Sequence, residues 1–139
     1  MLTALAVCLH EVTISYMNKT FLLAALSFWT MVCQADIIDI RWSAEGRFEH
    51  QTTVAPTKFV ELCGKLPAGQ RVHWEFAAGV PLDFNVHYHV GKEVVYPSRL
   101  KAVASAQDTL LTRLDQDYCW MWTNKSAVAA ELSVKLRRH

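Results

Sequence analysis

The stretch Arg71–Val90 alternates between apolar and polar residues in two runs, and this pattern most constrains what the chain can fold into. A period of two in β-branched and aromatic residues is typical of strands with one buried face. The segment Ala77–Pro81 lies between the runs and has the composition of a turn. We therefore predict a β-hairpin over Arg71–Val90. Its apolar face would consist of Val72, Trp74, Phe76, Phe84, Val86, Tyr88 and Val90, and its polar face would carry His73, Glu75, His87 and His89.

The amino-terminal region has the three parts of a secretory signal peptide. A lysine precedes Phe21–Val32, a largely apolar run of 12 residues, and Cys33-Gln34-Ala35 resembles a cleavage site. Such a run is too short to span a bilayer comfortably. We predict that residues 1–35 form an N-terminal extension and a signal helix that is cleaved after Ala35, with Met1 or Met17 as the initiator. The mature chain would then have no stable membrane span and would be periplasmic or secreted.

Residues 36–139 form the second predicted unit, a single all-β domain. Short apolar runs separated by turn residues recur along it, which favours an antiparallel β-sandwich. Ser98–Thr109 fits either a helical turn or a loop with a short strand. The whole chain has 14 lysine and arginine residues and 13 aspartate and glutamate residues. Residues 1–35 contain one lysine and one glutamate, so the mature chain would keep 13 basic and 12 acidic side chains. Because nucleic-acid binding needs a clustered basic surface, this balance argues against a nucleic-acid partner.

Two cysteines, Cys63 and Cys119, remain once the leader is removed. In an exported domain two cysteines most often form a disulfide, so we predict that these two are bonded. A thiolate metal site is the alternative. It is disfavoured because the two residues are far apart in sequence and no Cys-x-x-Cys spacing is present.

The order of motifs from Cys63 to Leu136 resembles the GOLD domain, a β-sandwich of the p24 cargo receptors and Sec14-like proteins. The matching segments are Leu66–Gly69, Val72–Phe76, Asp83–Val86 and Tyr118–Ser126, the last of which contains the formal glycosylation sequon Asn124-Lys125-Ser126. The p24 members also have a cysteine pair placed much like the pair here. The p24 coiled coil and membrane anchor have no counterpart. The resemblance implies a small exported sandwich that binds a protein or an envelope component, without enzyme activity.

The polar face of the predicted hairpin offers a candidate metal site. If residue numbers of paired positions sum to about 160, His73 lies opposite His87, with His89 and Glu75 on the same face. Directly opposed side chains in a sheet are about 5 Å apart, so these groups could converge on one zinc or copper ion. The alternative is a set of ordinary solvated histidines on a polar sheet face.

Three functions remain open from the sequence. The first is an exported, non-catalytic binding module of GOLD-like fold, and the second is a periplasmic copper- or zinc-binding protein that uses His73, His87, His89 and Glu75. A small hydrolase comes last, because no serine has the Gly-x-Ser-x-Gly context of a nucleophile and no acid–base set is visible. We therefore expect no catalytic residues and no cofactor other than such a metal ion.

Overall fold

A computed structural model of the protein describes residues 36–139, and the predicted signal peptide lies outside the described residues. This region is all-β, as predicted. The strands are β1 (Asp36–Asp39), β2 (Arg47–Val54), β3 (Phe59–Leu66), β4 (Arg71–Val90), β5 (Glu93–Leu111), β6 (Gln116–Thr123) and β7 (Ala130–Arg138). Among residues 36–139, no helix is long and apolar enough to cross a membrane.

All seven strands belong to one sheet, which is organised around β4. The first half of β4, Val72–Ala78, pairs with β7, and the second half, Asp83–His87, pairs with β6. Strand β2 continues the sheet beyond β7, and β3 and β1 continue it beyond β6. Strand β5 pairs with β4 along nearly its whole length, so the ambiguous Ser98–Thr109 segment is strand. The sheet is antiparallel except for the parallel pair β1 and β3.

Strand β4 bends sharply near its middle. Phe76 and Phe84 are eight residues apart, which would separate them by about 26 Å along a straight strand. Their ring centroids are instead 4.9 Å apart. The pairing with β5 shifts register between Ala77 and Leu82, and the bend contains Gly79, a residue that often marks such a kink. The sheet therefore curls until the two halves of β4 face each other.

The bend corrects the predicted hairpin. Ala77–Pro81 was predicted to be a turn, but it lies inside one continuous strand, and the chain reverses at Gly91-Lys92 instead. There a two-residue turn joins Val90 to Glu93, and Gly91 has the positive φ of 59° that such turns require. The two alternating runs are not hydrogen-bonded neighbours. The all-β class is confirmed as one curled sheet, and the sandwich expected from the sequence stays a prediction.

One hydrophobic core fills the inside of the curl. Six of the seven side chains predicted for the apolar face of β4 contribute to it. The seventh, Val90, is 44% exposed, because it is the last residue before the turn at Gly91 and lies beyond the core. Trp74 packs on Phe84 with ring centroids 4.7 Å apart, and Phe84 packs on Trp122 of β6 at 5.2 Å. Such aromatic pairs contribute about 0.5–1.5 kcal/mol each beyond the burial of their surface. The aromatic cluster therefore packs the two halves of β4, each with the strand that pairs with it, against one another.

Candidate functional site

The outer face of the first half of β4 carries two of the four predicted metal ligands. His73 lies between Arg137 of β7 and Thr109 of β5, and its Nδ1 is 3.5 Å from the Thr109 hydroxyl. Glu75 forms an exposed ion pair with Lys135 at 3.2 Å. Neither residue contacts the other two predicted ligands, because the register that would have placed them together belongs to a hairpin that does not form. The register on which that four-residue site depends is therefore not formed, and metal binding by these residues stays a prediction.

The second half of β4 holds the other two predicted ligands in a different setting. His87 is only 7% exposed. Its Nε2 is 2.9 Å from Glu61 Oε1, and its Nδ1 is 2.8 Å from Asn85 Oδ1. His89 is exposed, with its ring centroid 5.5 Å from that of His87. Sequence reasoning missed Glu61, although it shares a face of β3 with Cys63 and the cysteine pairing could have placed it beside β6.

The predicted disulfide between Cys63 and Cys119 is present. The two residues are direct partners across β3 and β6, with Cα atoms 4.1 Å apart. Cys119 is in turn the direct partner of His87 across β6 and β4. The disulfide, the imidazole and the nearby Glu61 carboxylate therefore form one cluster on the outer face of three neighbouring strands.

The formal glycosylation sequon is part of a structural turn. The side chain of Asn124 is fully buried. Its amide nitrogen donates hydrogen bonds to the carbonyl oxygens of Val54 at 2.9 Å and Val128 at 2.7 Å, and its Oδ1 accepts from Ser126. An amide nitrogen held in this way stabilises the loop before β7 and is not accessible for modification.

The loop that follows β5 is fixed by a dense set of hydrogen bonds. The Thr112 hydroxyl donates to the Pro67 carbonyl at 2.6 Å and accepts from the Gln70 amide at 2.8 Å. The Tyr118 hydroxyl accepts from the amides of Arg113 and Leu114 and donates to the Leu114 carbonyl. Thr112 is 2% exposed and Tyr118 is 1% exposed, so water competes little for these bonds. The loop is therefore held in one conformation.

This rigid loop borders an apolar cleft of about 180 Å³, here called the Tyr118 cleft. The curl of the sheet brings the beginning and the end of β5 together on its walls. Leu111, the last residue of β5, and Leu114 of the loop remain 49% and 44% exposed beside it and add apolar surface next to the cleft. The lining residues are Tyr88, Val95, Pro97, Leu111, Arg113 and Tyr118.

A larger groove of about 490 Å³ lies on the outer face of the sheet, along the first half of β4 and its neighbours β5 and β7. Its floor is made of small side chains, among them Ala77, Ser105 and Ser133, and the exposed Glu75–Lys135 pair borders it. The one aromatic residue among its lining, Phe76, is only 4% exposed and belongs to the core, so it offers little surface to a partner. Because protein interfaces depend on a few large apolar or arginine anchors, the Tyr118 cleft is the better candidate despite its smaller volume.

Comparisons with known proteins identify the fold. No protein-family model matches this chain, and no curated protein matches it in sequence. Solved structures do match. PliG of Aeromonas hydrophila, a periplasmic lysozyme inhibitor of g-type lysozyme, aligns with a TM-score of 0.60 at 10% identity over 76% of this chain and 98% of that chain. PliG of Salmonella Typhimurium aligns with a TM-score of 0.53 at 11% identity, over 76% of this chain and all of its own.

A mutant of the Escherichia coli PliG inhibitor aligns with a TM-score of 0.52 at 9% identity over 76% of this chain and its own full length. At identities of this size the likeness shows the fold alone. It confirms a compact β fold of the kind that these inhibitors have, and no family model supports the GOLD domain in particular. The three alignments nevertheless give the fold a clear group of structural relatives.

Proposed function

We propose that this protein is an exported, non-catalytic binding protein that captures a protein partner through the Tyr118 cleft and the loop beside it. The observation that carries the proposal is the presentation of Arg113 and Leu114 on a loop whose backbone is already fixed, next to the exposed Leu111 at the end of β5. Export is supported by the signal-peptide pattern and the Cys63–Cys119 disulfide, because disulfides persist in oxidising compartments.

The rigidity of the loop supports a role in binding rather than in folding alone. Ordering a flexible loop costs free energy during association, and a pre-formed loop avoids that cost. The buried side chains of Thr112 and Tyr118 hold the loop from inside, and the side chains of Leu111 and Leu114 remain exposed for contact with another molecule. Arginine is enriched at interface centres, and the two exposed leucines add apolar surface beside Arg113.

The class of partner to test first is a g-type lysozyme. The PliG structures share this fold, and their names give that enzyme as the target. Glycosidases of most families flank the scissile bond with a pair of carboxyl groups in an open cleft. The exposed Arg113 guanidinium, placed between two leucines, is complementary to a cleft that combines carboxylates with apolar walls. We therefore propose that the loop contacts the substrate cleft of a lysozyme.

Binding and inhibition assays test the proposal. Purified protein is titrated into a g-type lysozyme in a calorimeter, and cell-wall lysis is followed in parallel. We expect a one-to-one complex and loss of lysis. Because truncating a hot-spot side chain costs about 2 kcal/mol or more, R113E and L111D should each weaken binding about 30-fold.

A matched control uses the exposed Val128, which does not line the Tyr118 cleft and is 56% exposed. Val128→Asp adds the same charge to an aliphatic surface position and should leave affinity unchanged. Binding that survives R113E and L111D would contradict the proposed surface, and a titration without heat or inhibition would contradict the proposed partner. A GOLD-type affiliation, with a protein or envelope component as ligand, stays a prediction that the same fold would accommodate.

A further inference from the structure

Four side chains that can bind a metal ion lie together on the outer face of β3, β6 and β4. Cys63, Cys119 and His87 form one cross-strand row, because Cys119 is the direct partner of both others. Glu61 precedes Cys63 by two residues and shares its face. Ligand atoms of Glu61, His87 and Cys119 all lie within 4.8 Å of one another. This set differs from the one predicted from sequence, and it shares only His87 with it.

The disulfide masks this set. A cysteine binds metal as a thiolate, and neither sulfur can do so while the two are bonded to each other. We propose that reduction of the Cys63–Cys119 disulfide converts the cluster into a zinc site. Its ligands are the two thiolates, the Nε2 atom of His87 and a carboxylate oxygen of Glu61. Such a mixture of sulfur, nitrogen and oxygen ligands on a closed, four-coordinate centre is typical of zinc.

The reaction balances with a dithiol as reductant. The dithiol transfers two electrons and two protons to the Cys63–Cys119 bond and itself becomes a disulfide, which leaves two thiols on the protein. Zinc then binds as the two thiols release their protons to solvent. The ion bears two positive charges, and the ligands bring two thiolates and one carboxylate, so the centre has a net charge of −1. No further oxidant or reductant takes part.

Asn85 prepares His87 for this role. A histidine that binds metal through one ring nitrogen usually donates a hydrogen bond from the other, which fixes the tautomer. Asn85 Oδ1 lies 2.8 Å from His87 Nδ1 and can accept that hydrogen bond. With that proton on Nδ1, Nε2 is the ring nitrogen that can bind zinc, and Glu61 Oε1 lies 2.9 Å from it. The proton that joins Nε2 and Glu61 in the absence of zinc leaves to solvent when the ion binds. Zinc would enter between these two groups.

The spacing requires only modest adjustment, since His87 Nε2 and Glu61 Oε1, now 2.9 Å apart, must separate slightly and the wider spacings must close. Zinc bonds of about 2.0–2.3 Å put tetrahedral ligand atoms about 3.3–3.8 Å apart. The three ligand atoms already lie within 4.8 Å, on strands that fix the backbone of each residue. The side chains of His87 and Glu61 are 8% and 12% exposed, and the Tyr96 ring packs against the imidazole with centroids 5.9 Å apart. A bound ion would therefore be largely shielded from water.

Cobalt titration tests the site, because tetrahedral thiolate-bound Co²⁺ absorbs in the visible range. Purified protein is divided into an oxidised sample and a sample treated with a dithiol and then freed of it without air. We expect one equivalent of Co²⁺ to bind in the reduced sample only, and Zn²⁺ to displace it. Alkylation should find two thiols that zinc protects together. His87→Gln and Glu61→Gln should each weaken zinc binding by about tenfold or more.

His73→Gln is the matched control, since His73 belongs to the same strand but lies beside Thr109 and Arg137. It should bind zinc with the affinity of the wild type. Circular dichroism of each reduced sample with and without zinc shows whether the fold is kept. The proposal is overturned if the reduced wild type gives no tetrahedral cobalt spectrum, if it unfolds and zinc does not restore it, or if His73→Gln is weakened as much as His87→Gln.

Discussion

The two halves of β4 have the same alternating pattern but very different outer faces. In the first half, His73 and Glu75 lie beside long charged side chains of β7 and remain partly accessible. In the second half, Asn85 and His87 lie beside the disulfide and Glu61, and His87 is 7% exposed. The two-residue alternation along a strand therefore determines which face a side chain occupies. The residues on adjacent strands determine how exposed to solvent that face is.

Removal of the disulfide should have the largest effect on stability. Among residues 36–139, a disulfide lies beside the second half of β4 and none lies beside the first half. The bond joins residues 56 positions apart, and closing a loop of that length contributes about 4 kcal/mol on the chain-entropy model. We expect the Cys63→Ala, Cys119→Ala double variant to lose about that much free energy of unfolding. Urea denaturation of variant and wild type measures the loss. Equal midpoints would show that the strands alone hold this face together.

Substitution of the two histidines tests the comparison directly. His87→Ala removes the partner of a nearly buried Glu61 carboxylate, and an uncompensated charge in such a place is costly. We expect a loss of about 2–3 kcal/mol in the free energy of unfolding. His73→Ala removes a long contact to Thr109 on the partly exposed half and should change stability by less than about 0.5 kcal/mol. Chemical denaturation of both variants would contradict the comparison if the two losses were equal.

The sequence predicted the faces of the strands and the disulfide well, because both depend on local pattern and on compartment. Val72, Trp74 and Phe76 are buried where the alternation placed them, and Cys63 pairs with Cys119. These features follow from residue type and period, and distant parts of the chain do not alter them.

The bend in β4 could not be predicted in this way. Ala77–Pro81 has the composition of a turn, and composition does not distinguish a chain reversal from a corner in a continuous strand. The corner forms because β7 and β6 pair with different halves of β4, which is a property of strands far away in sequence. The pairing of His73 with His87, on which the metal-site prediction depended, was wrong for the same reason. The rigid loop beside Tyr118 was missed because its leucines had no periodic signal.

The smallest effect concerns the exposed ion pairs, of which each half of β4 has one. The Lys125 ammonium, hydrogen-bonded to Asp83, holds the pKa of that carboxyl below its usual 3.8, and the Ala102 amide adds to the effect. A lowered folded-state pKa gives stability that is present above pH 3.8 and is lost as the pH falls through the folded value. Asp83→Asn should therefore cost less than about 1 kcal/mol at pH 7, and its difference from the wild type should shrink in acid.

Glu75→Gln is the matched substitution in the first half of β4, where the Glu75 and Lys135 side chains are 41% and 57% exposed. The Asp83 side chain is 25% exposed and receives a backbone hydrogen bond in addition to its lysine, so its charge is less screened by water. Thermal unfolding of both variants at pH 7 should give the larger loss for Asp83→Asn. A larger loss of stability for Glu75→Gln would contradict this comparison. It would mean that the more exposed ion pair is the stronger one, so that solvent exposure does not determine the strength of the ion pairs along β4.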